Sequence, residues 1–174
     1  MSEPNAPTRA ELLEALRASA REAVRGLSGQ PAEAFESGCY ENGWTRRQVL
    51  AHVASIEWTY ARLIDLAAGP GAPPGDKAAQ PRPAGVAQGG ISDYNQRQVD
   101  KLSQASVPEL LDLFRKNRAA TIAAVEGVSD SLLAQPVRSA GGLSGPLGVV
   151  LEMVAVHHVR GHVQDILAAD AGVR

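Results

Sequence analysis

Apolar residues recur at helical spacing in four separate stretches of this chain, and this periodicity limits the fold more than any other feature. Thr8 and Glu11 stand three residues apart at the start of the first stretch, and Thr45 and Gln48 do so at the start of the second. This spacing is typical of a capping box, in which two side chains satisfy main-chain amides at a helix N-terminus. We see no strand signal, so helices packed on helices are expected.

Glycine, proline and further capping residues separate the four stretches. The predicted helical regions are residues 8–28, 45–68, 92–127 with a restart at Ser106, and a last helix that follows Pro146 and reaches Ile166. Arg118 occupies one of the stripe positions of the third region, between Phe114 and Ile122. Four main helices without a strand predict an all-α fold, an antiparallel four-helix bundle.

A segment rich in glycine and proline follows the second stretch. Residues 69–90 contain six glycines and five prolines in 22 positions, a composition typical of a flexible connection. A loop of this length can border a functional site, but a simple link between helices is the interpretation we favour. We therefore predict a single domain over residues 1–174, with a flexible Gly/Pro-rich loop at residues 69–90.

Charge and composition exclude several classes of function. The formal net charge is −2, so there is no basic surplus to neutralise the phosphates of a nucleic acid. We find neither a run of about 20 apolar residues that could span a membrane nor the basic and apolar segments of a signal peptide. Cys39 is the single cysteine and cannot form an internal disulfide. No His or Asp is patterned beside it, so we expect an incidental thiol in a cytoplasmic protein.

Three of the four histidines continue the apolar stripes of two predicted helices. His52 lies three residues after Val49 in the second helix. His158 lies four residues after Val154 in the last helix, and His162 lies four after His158. We therefore expect three imidazoles to point into the bundle from two long helices.

Inward-pointing imidazoles need partners, because a buried ring nitrogen must be satisfied and a buried charge is costly. Side chains at i and i+4 stand about 5–6 Å apart, so two imidazoles can reach one ion about 2.0–2.1 Å from each nitrogen. A third imidazole leaves open positions for water or substrate, as in catalytic sites. The pattern predicts a divalent metal site at His52, His158 and His162. The other interpretation is three core histidines satisfied by carbonyls and water.

Two neighbouring residues are assigned different roles. His157 lies about 100° around the helix from His158, which favours a surface or interface role. Asp165 lies three residues after His162 on the same face. It is a fourth ligand, an unrelated polar residue near the bundle end, or an outer-shell acceptor that orients a ligand imidazole. We favour the outer-shell role.

Two stretches resemble the DinB-like superfamily, which includes bacterial thiol S-transferases and the N-terminal domain of mycothiol-dependent maleylpyruvate isomerases. They are Trp44-Thr-Arg-Arg-Gln-Val-Leu-Ala-His52 and His158-Val-Arg-Gly-His162, followed by Asp165. The resemblance implies a four-helix bundle, often dimeric, with the three histidines as ligands of zinc or nickel. It also implies that an open metal position binds a low-molecular-weight thiol, such as mycothiol or bacillithiol, as its thiolate.

The resulting hypothesis is a metal-dependent transferase that activates a small thiol for attack on an electrophile. The alternative is a non-catalytic, stress-related, dimeric protein that binds a metal and a ligand. Hydrolysis by metal-bound water is a third option, which needs a general base that the sequence does not clearly supply. The apolar run from Leu147 to Val156 needs cover on more than one side. A homodimer through this helix or its neighbour would supply that cover, as would a central position in the bundle.

Overall fold

The computed structural model describes residues 6–38, 43–69 and 90–168. Most of the predicted flexible loop, residues 70–89, and Cys39 lie outside these ranges. The described elements are α1 (Arg9–Ser28), a 3₁₀ turn (Ala32–Glu36), α2 (Arg46–Ile56), α3 (Thr59–Ala68), α4 (Gly90–Lys101), α5 (Val107–Glu126), α6 (Asp130–Leu133), β1 (Pro136–Arg138), β2 (Ser144–Pro146), α7 (Leu147–Leu151), a π-helical turn (Glu152–His157) and α8 (His158–Ala168). The last three elements follow one another without a gap, and we call residues 147–168 the last helix.

Local hydrogen bonds fix the predicted helix starts. The hydroxyl groups of Thr8, Thr45 and Ser106 each accept a bond from the main-chain amide three residues on, and the side chain there closes a capping box. Gly69 ends α3 with a φ of 75°, a conformation that glycine adopts without strain. The predicted starts of the first, second and restarted third helices are therefore confirmed.

The four-helix bundle predicted from the sequence is confirmed. It consists of α1, the α2–α3 pair, α5 and the last helix. α1 and α2 both pack against α5 and α8, so these two successive long helices lie diagonally across the bundle. α4 packs on the outside of α2. None of the described helices has the length and hydropathy that a bilayer span requires.

Two predictions about the connections are wrong. Residues 136–146, where the sequence shows no strand signal, contain a hairpin in which β1 pairs antiparallel with β2 and Val137 lies opposite Gly145. Strands of three residues are too short to show the alternation by which a strand is recognised. The second predicted helix is also interrupted after Ile56, where the Tyr60 amide donates to the Glu57 carbonyl, three residues back.

A buried ion pair separates the two halves of the core. One apolar cluster includes Leu12, Leu16, Tyr60, Val125 and Leu147, and the other includes Ala23, Val49, Phe114, Val159 and Val163. Between them, the Arg118 guanidinium binds the Glu57 carboxylate, with side chains only 2% and 0% exposed. Burial raises the pKa of Glu57, and Arg118 opposes this shift. Hydrogen bonds from the Arg118 guanidinium, on α5, reach α1 and the last helix at this level.

The π-helical turn changes which face of the last helix points inward. Its wider bonding is shown by the His158 amide, which donates to the Met153 carbonyl five residues back. In a uniform α-helix, Val163 would point about 120° away from Leu151 around the helix axis. The π-helical turn accommodates one extra residue, and the angle between the two side chains is then only about 20°. The buried stripe is Leu151, Ala155, Val159 and Val163. It is not the predicted stripe of Val154, His158 and His162.

Candidate metal centre

The structure brings the three predicted histidines together. His52 lies on α2, and His158 and His162 lie one helical turn apart on α8, which packs against α2. The ring centroids are 5.7 Å apart for His52 and His158, 5.1 Å for His52 and His162, and 4.3 Å for His158 and His162. One nitrogen from each ring can be chosen so that all three lie within 4.8 Å of one another.

The three rings do not share the burial expected from the sequence. His52 is 5% exposed, as its place in the apolar stripe predicts. His162 is partly buried, and His158 is exposed. The prediction that all three point into the core is therefore wrong for His158, because the π-helical turn moves that residue to the edge of the inward face. The cluster consequently forms at the side of the bundle, where it is open to solvent.

Hydrogen bonds orient the two histidines of α8. Nε2 of His162 lies 2.8 Å from Nε2 of His158. His158 also bonds to the main chain of Val154, which leaves its Nε2 directed at the cluster. On the other side of the His162 ring, Nδ1 lies 4.0 Å from Oδ2 of Asp165. The carboxylate is thus next to the outward nitrogen of His162, the place from which an outer-shell acceptor orients a ligand.

All three imidazoles favour the neutral form. Burial, together with the neighbouring His162 and His158, lowers the pKa of His52 to about 3. Burial and His158 lower the pKa of His162 to about 4, against the opposing effect of Asp165. Partial loss of hydration also lowers the pKa of His158, although its bond to Val154 opposes this. Neutral imidazole is the form that binds a metal.

The donor set fits a divalent transition-metal ion. Tetrahedral coordination at about 2.0–2.1 Å places ligand nitrogens about 3.3 Å apart. This separation falls between the 2.8 Å that joins His158 and His162 and the 4.8 Å limit of the whole cluster. Nδ1 of His52 is buried and has no hydrogen-bond partner in the described part of the chain. A metal ion bound at this nitrogen would supply the missing partner.

An aromatic wall stands beside the cluster, and the sequence does not predict it. The Trp44 ring lies 5.3 Å from the His52 ring, at an interplanar angle of 48°. Nε1 of Trp44 donates to Oε1 of Gln96 at 2.8 Å, and the Gln96 amide donates to Asp100 at 2.8 Å. These contacts join α4 to the start of α2. The position of Trp44 directly before the helix cap predicts only a hydrophobic staple and gives no signal for a site role.

His157 is separate from the cluster. It lies in the π-helical turn with an exposed ring, and its Nε2 is 4.0 Å from Oε1 of Glu152. This placement agrees with the surface role favoured from helical phase. Two surface cavities, of about 620 and 200 Å³, are lined by residues other than the three histidines.

The fold and the cluster together define a class, namely a four-helix bundle with three histidines arranged to hold one metal ion at its side. Within that class the chain belongs to the DinB superfamily, whose family model matches residues 12–166. A comparison with curated protein sequences gives no match.

Solved structures with a similar fold include a mycothiol-dependent enzyme and a bacterial four-helix bundle. The mycothiol-dependent maleylpyruvate isomerase superposes with a TM-score of 0.69 and 22% identity, over 92% of this chain and 61% of the isomerase chain. This chain therefore matches less than two thirds of the isomerase. YfiT from Bacillus subtilis, described as a probable metal-dependent hydrolase with an unusual four-helix bundle topology, superposes with a TM-score of 0.70 and 15% identity. That match covers 100% of this chain and 95% of YfiT.

Proposed function

We propose that this protein is a metal-dependent enzyme that activates a low-molecular-weight thiol for attack on an electrophile. His52, His158 and His162 would hold one zinc or nickel ion. The observation that carries the proposal is the meeting of three neutral imidazoles at a solvent-exposed edge of the bundle. Three protein ligands with open positions are typical of catalytic rather than structural metal sites.

Each residue of the centre has a distinct part in this proposal. His52 anchors the site to the core, because its ring is buried and cannot swing away. His158 and His162 supply two nitrogens from the exposed side, and Asp165 orients His162 through the outer nitrogen. Trp44 forms an apolar wall against which the carbon skeleton of a ligand can pack.

The bound ion would supply acidity, because a thiol that coordinates a metal loses its proton far below its free pKa of about 8.5. In the proposed reaction the thiol proton passes to solvent, and the sulfur forms a bond to an electrophilic carbon. A halide leaves from a haloarene, or the ring oxygen of an epoxide is released and takes up a proton. No oxidant or reductant is required.

The thiol part of the proposal is supported by the shared fold of the mycothiol-dependent maleylpyruvate isomerase. Mycothiol and bacillithiol are therefore the first co-substrates to test. A free thiol requires a reducing compartment, so we propose that the protein acts in the cytoplasm.

Hydrolysis is a second candidate, favoured by the full-length similarity to YfiT. Such a reaction needs a general base within reach of metal-bound water. Among the described residues, no carboxylate joins the histidine cluster. The Asp165 carboxylate lies beside Nδ1 of His162, whereas Nε2 of that ring faces the cluster. Thiol chemistry needs no such base, and we rank it first for that reason.

The experiment that tests the proposal begins with protein purified without a metal-affinity tag. Elemental analysis is expected to find about one zinc or nickel ion per chain. The metal-loaded protein is then assayed with a panel of thiols, including mycothiol and bacillithiol, against a haloarene and an epoxide. Ester and amide substrates without thiol form the hydrolysis arm. His157→Ala is the matched control, since it removes a nearby histidine outside the cluster.

We expect at least one thiol and electrophile pair to react faster with the loaded protein and with His157→Ala. The chelated protein and His162→Ala should show no such acceleration. A rate only in the hydrolysis arm would replace the thiol reaction by the second candidate. Metal binding without any rate, and without a thiol effect on the spectrum of the cobalt-substituted site, would favour the non-catalytic alternative, a stress-related ligand-binding protein.

A further inference from the structure

The π-helical turn at Glu152–His157 lies directly before two of the three histidines. Because it absorbs one residue, α8 is rotated by about 100° from the position that an uninterrupted α-helix would give it. His158 and His162 would turn away from His52 if the same residues formed a regular helix. The geometry of the cluster therefore depends on this turn.

A buried arginine holds the turn from the opposite side of the bundle. Nη2 of Arg118 donates to the Ala155 carbonyl, inside the π-helical turn, at 2.5 Å. The same guanidinium donates to the Ser19 hydroxyl at 2.8 Å, to the Leu16 carbonyl at 3.0 Å and to both carboxylate oxygens of Glu57. One rigid, planar group thus connects α1, the end of α2 and the last helix.

The free-energy cost of burying the Arg118–Glu57 pair beside the π-helical turn indicates a role other than stability. Desolvating two charges is expensive, and replacing a buried ion pair by packed apolar residues is often neutral or stabilising. π-helical turns are rare and are found frequently at functional sites. Here the buried pair and the turn are in direct contact, and the turn precedes the candidate ligands. The role that links the buried pair, the turn and the candidate ligands is to hold the metal centre in one conformation.

We propose that Arg118, held in place by Glu57, is a positioning residue for the metal centre. By donating to the Ala155 carbonyl it stabilises the π-helical turn, and the turn sets the helical phase of His158 and His162 relative to His52. The inference rests on the proposed metal site. The state of the turn itself can nevertheless be measured in metal-free protein.

The principal test uses Arg118→Lys. Lysine keeps the positive charge beside Glu57 but lacks the planar fork that reaches the Ala155 carbonyl at the same time. In metal-free protein we expect faster amide hydrogen exchange over residues 152–162 than in the wild type. In a Co²⁺ titration followed by absorption, we expect affinity to fall by about 10–100-fold, as for loss of an orienting group around a metal site.

A second variant tests the phase directly. Deletion of Met153, a 45% exposed residue of the turn, removes the one extra residue that the turn contains. A regular α-helix would then hold α8 in the orientation that it has now. Combined with Arg118→Lys, this deletion is expected to restore Co²⁺ binding to near the wild-type affinity. A merely structural role for Arg118 would give no such rescue, because the deletion does not repair its contacts to α1 or Glu57.

Ser19→Ala is the matched control. It removes another hydrogen bond of Arg118 while leaving the Ala155 contact in place, so Co²⁺ affinity should not change. If Arg118→Lys does not fold, the paired substitution Arg118→Met with Glu57→Met removes both charges together. It is expected to give the same loss of affinity and the same rescue by deletion.

The two proposals fail in different ways. A wild-type protein that takes up no Co²⁺ would overturn the proposed metal site, and hydrogen exchange would still decide whether Arg118 holds the turn. Wild-type binding with no change in exchange or affinity for Arg118→Lys would overturn the positioning role. Loss of affinity that the deletion of Met153 does not rescue would also overturn it, because the helical phase would not be the cause.

Discussion

Burial divides the three candidate ligands at the scale of single residues. His52 is enclosed by α2 and its neighbours, whereas His158 stands at the exposed side of the cluster. The buried ring loses most of its hydration, which is why its pKa is lowered to about 3. The exposed ring keeps more of its solvent contacts. His52 therefore fixes the site to the core, and His158 borders the side that is open to solvent.

Alanine substitutions should separate the cluster from the histidine beside it. His52→Ala, His158→Ala and His162→Ala each remove one of three ligands, so we expect metal affinity to fall by more than about 100-fold. His157→Ala should leave affinity nearly unchanged, because its ring lies outside the cluster. Isothermal titration with zinc or nickel measures all four. A loss of binding in His157→Ala, with retention in His158→Ala, would show that the helical phase is wrong.

Asp165→Asn tests whether the Asp165 carboxylate orients the His162 ring. The carboxylate lies 4.0 Å from Nδ1 of His162, the ring nitrogen that faces away from the cluster. It can orient the ring and raise the basicity of the nitrogen on the metal side, and loss of such a group typically reduces affinity about 10–100-fold. The same titration measures the effect. An unchanged affinity would assign Asp165 to the solvent-exposed surface.

The identity of these residues is accessible from the sequence, but their exposure is not. The four-residue spacing of His158 and His162 and the stripe position of His52 predict a cluster, and the three side chains meet. A uniform count of 3.6 residues per turn places His158 inside the core, which is wrong. The predicted direction of His158 is wrong by the rotation of one residue, about 100° around the helix axis. The cause is a π-helical turn, which the spacing of residues in the sequence does not reveal.

At the scale of helices and strands, local chemistry explains the successful predictions. A capping box is formed by residues three apart, so Thr8, Thr45 and Ser106 can be recognised without knowledge of the fold. The interruption after Ile56 and the π-helical turn instead involve Glu57 and Arg118, which are 61 residues apart in the chain. The place of Arg118 in an apolar stripe is a signal for a buried polar group, but its partners come from distant segments.

Thr45→Ala tests whether the start of α2 contributes to the centre. Loss of the capping bond is expected to lower the free energy of unfolding by about 1 kcal/mol. Fraying there would also loosen Trp44, whose ring contacts His52, and so should weaken metal binding. Ser106→Ala removes the same kind of cap from α5 and is the matched control.

Urea denaturation should give similar losses of stability for Thr45→Ala and Ser106→Ala, while only Thr45→Ala should reduce metal affinity. Equal affinities in the two variants would mean that the cap of α2 serves the fold alone. In a Trp58→Phe background, the fluorescence of Trp44 directly reports the packing of its ring beside His52.

At the scale of the whole molecule, most of the apolar half of the last helix is covered within the chain. Leu147, Val150, Leu151 and Ala155 are fully buried, where α1, α3 and the hairpin pack around them. The central position that the sequence allows therefore accounts for most of this apolar surface, while Met153 on the same helix is 45% exposed. The predicted homodimer remains a prediction, and its surface is better placed on the neighbouring helix α3, where Leu66 is 66% exposed.

Sedimentation at micromolar concentration measures the assembly. We expect a homodimer for the wild type and a monomer for Leu66→Glu, because a charge buried at an apolar interface is costly. Leu143→Glu alters another exposed apolar residue, on the hairpin, and should remain dimeric. A monomeric wild type would count against the dimer altogether.

The last prediction concerns the dependence of stability on pH. In the folded protein the pKa values of His52 and His162 are lowered to about 3 and about 4, whereas an unfolded histidine titrates near 6.5. Below about pH 6.5 the unfolded chain therefore binds protons that the folded chain excludes. Stability falls as pH decreases, by about 1.4 kcal/mol per pH unit for each such histidine.

This loss should be seen in chelated protein by urea denaturation between pH 7.5 and 4.5, with no contribution from these groups above about pH 7. His52→Gln should reduce the slope, because it removes one of the two groups whose pKa is lowered. With metal present, bound ion adds stability to the folded state alone, and that increment should also disappear below about pH 6 as protons compete for the ligands. A chelated protein whose stability is flat from pH 6.5 to 4.5 would show that the imidazoles are not held neutral by burial.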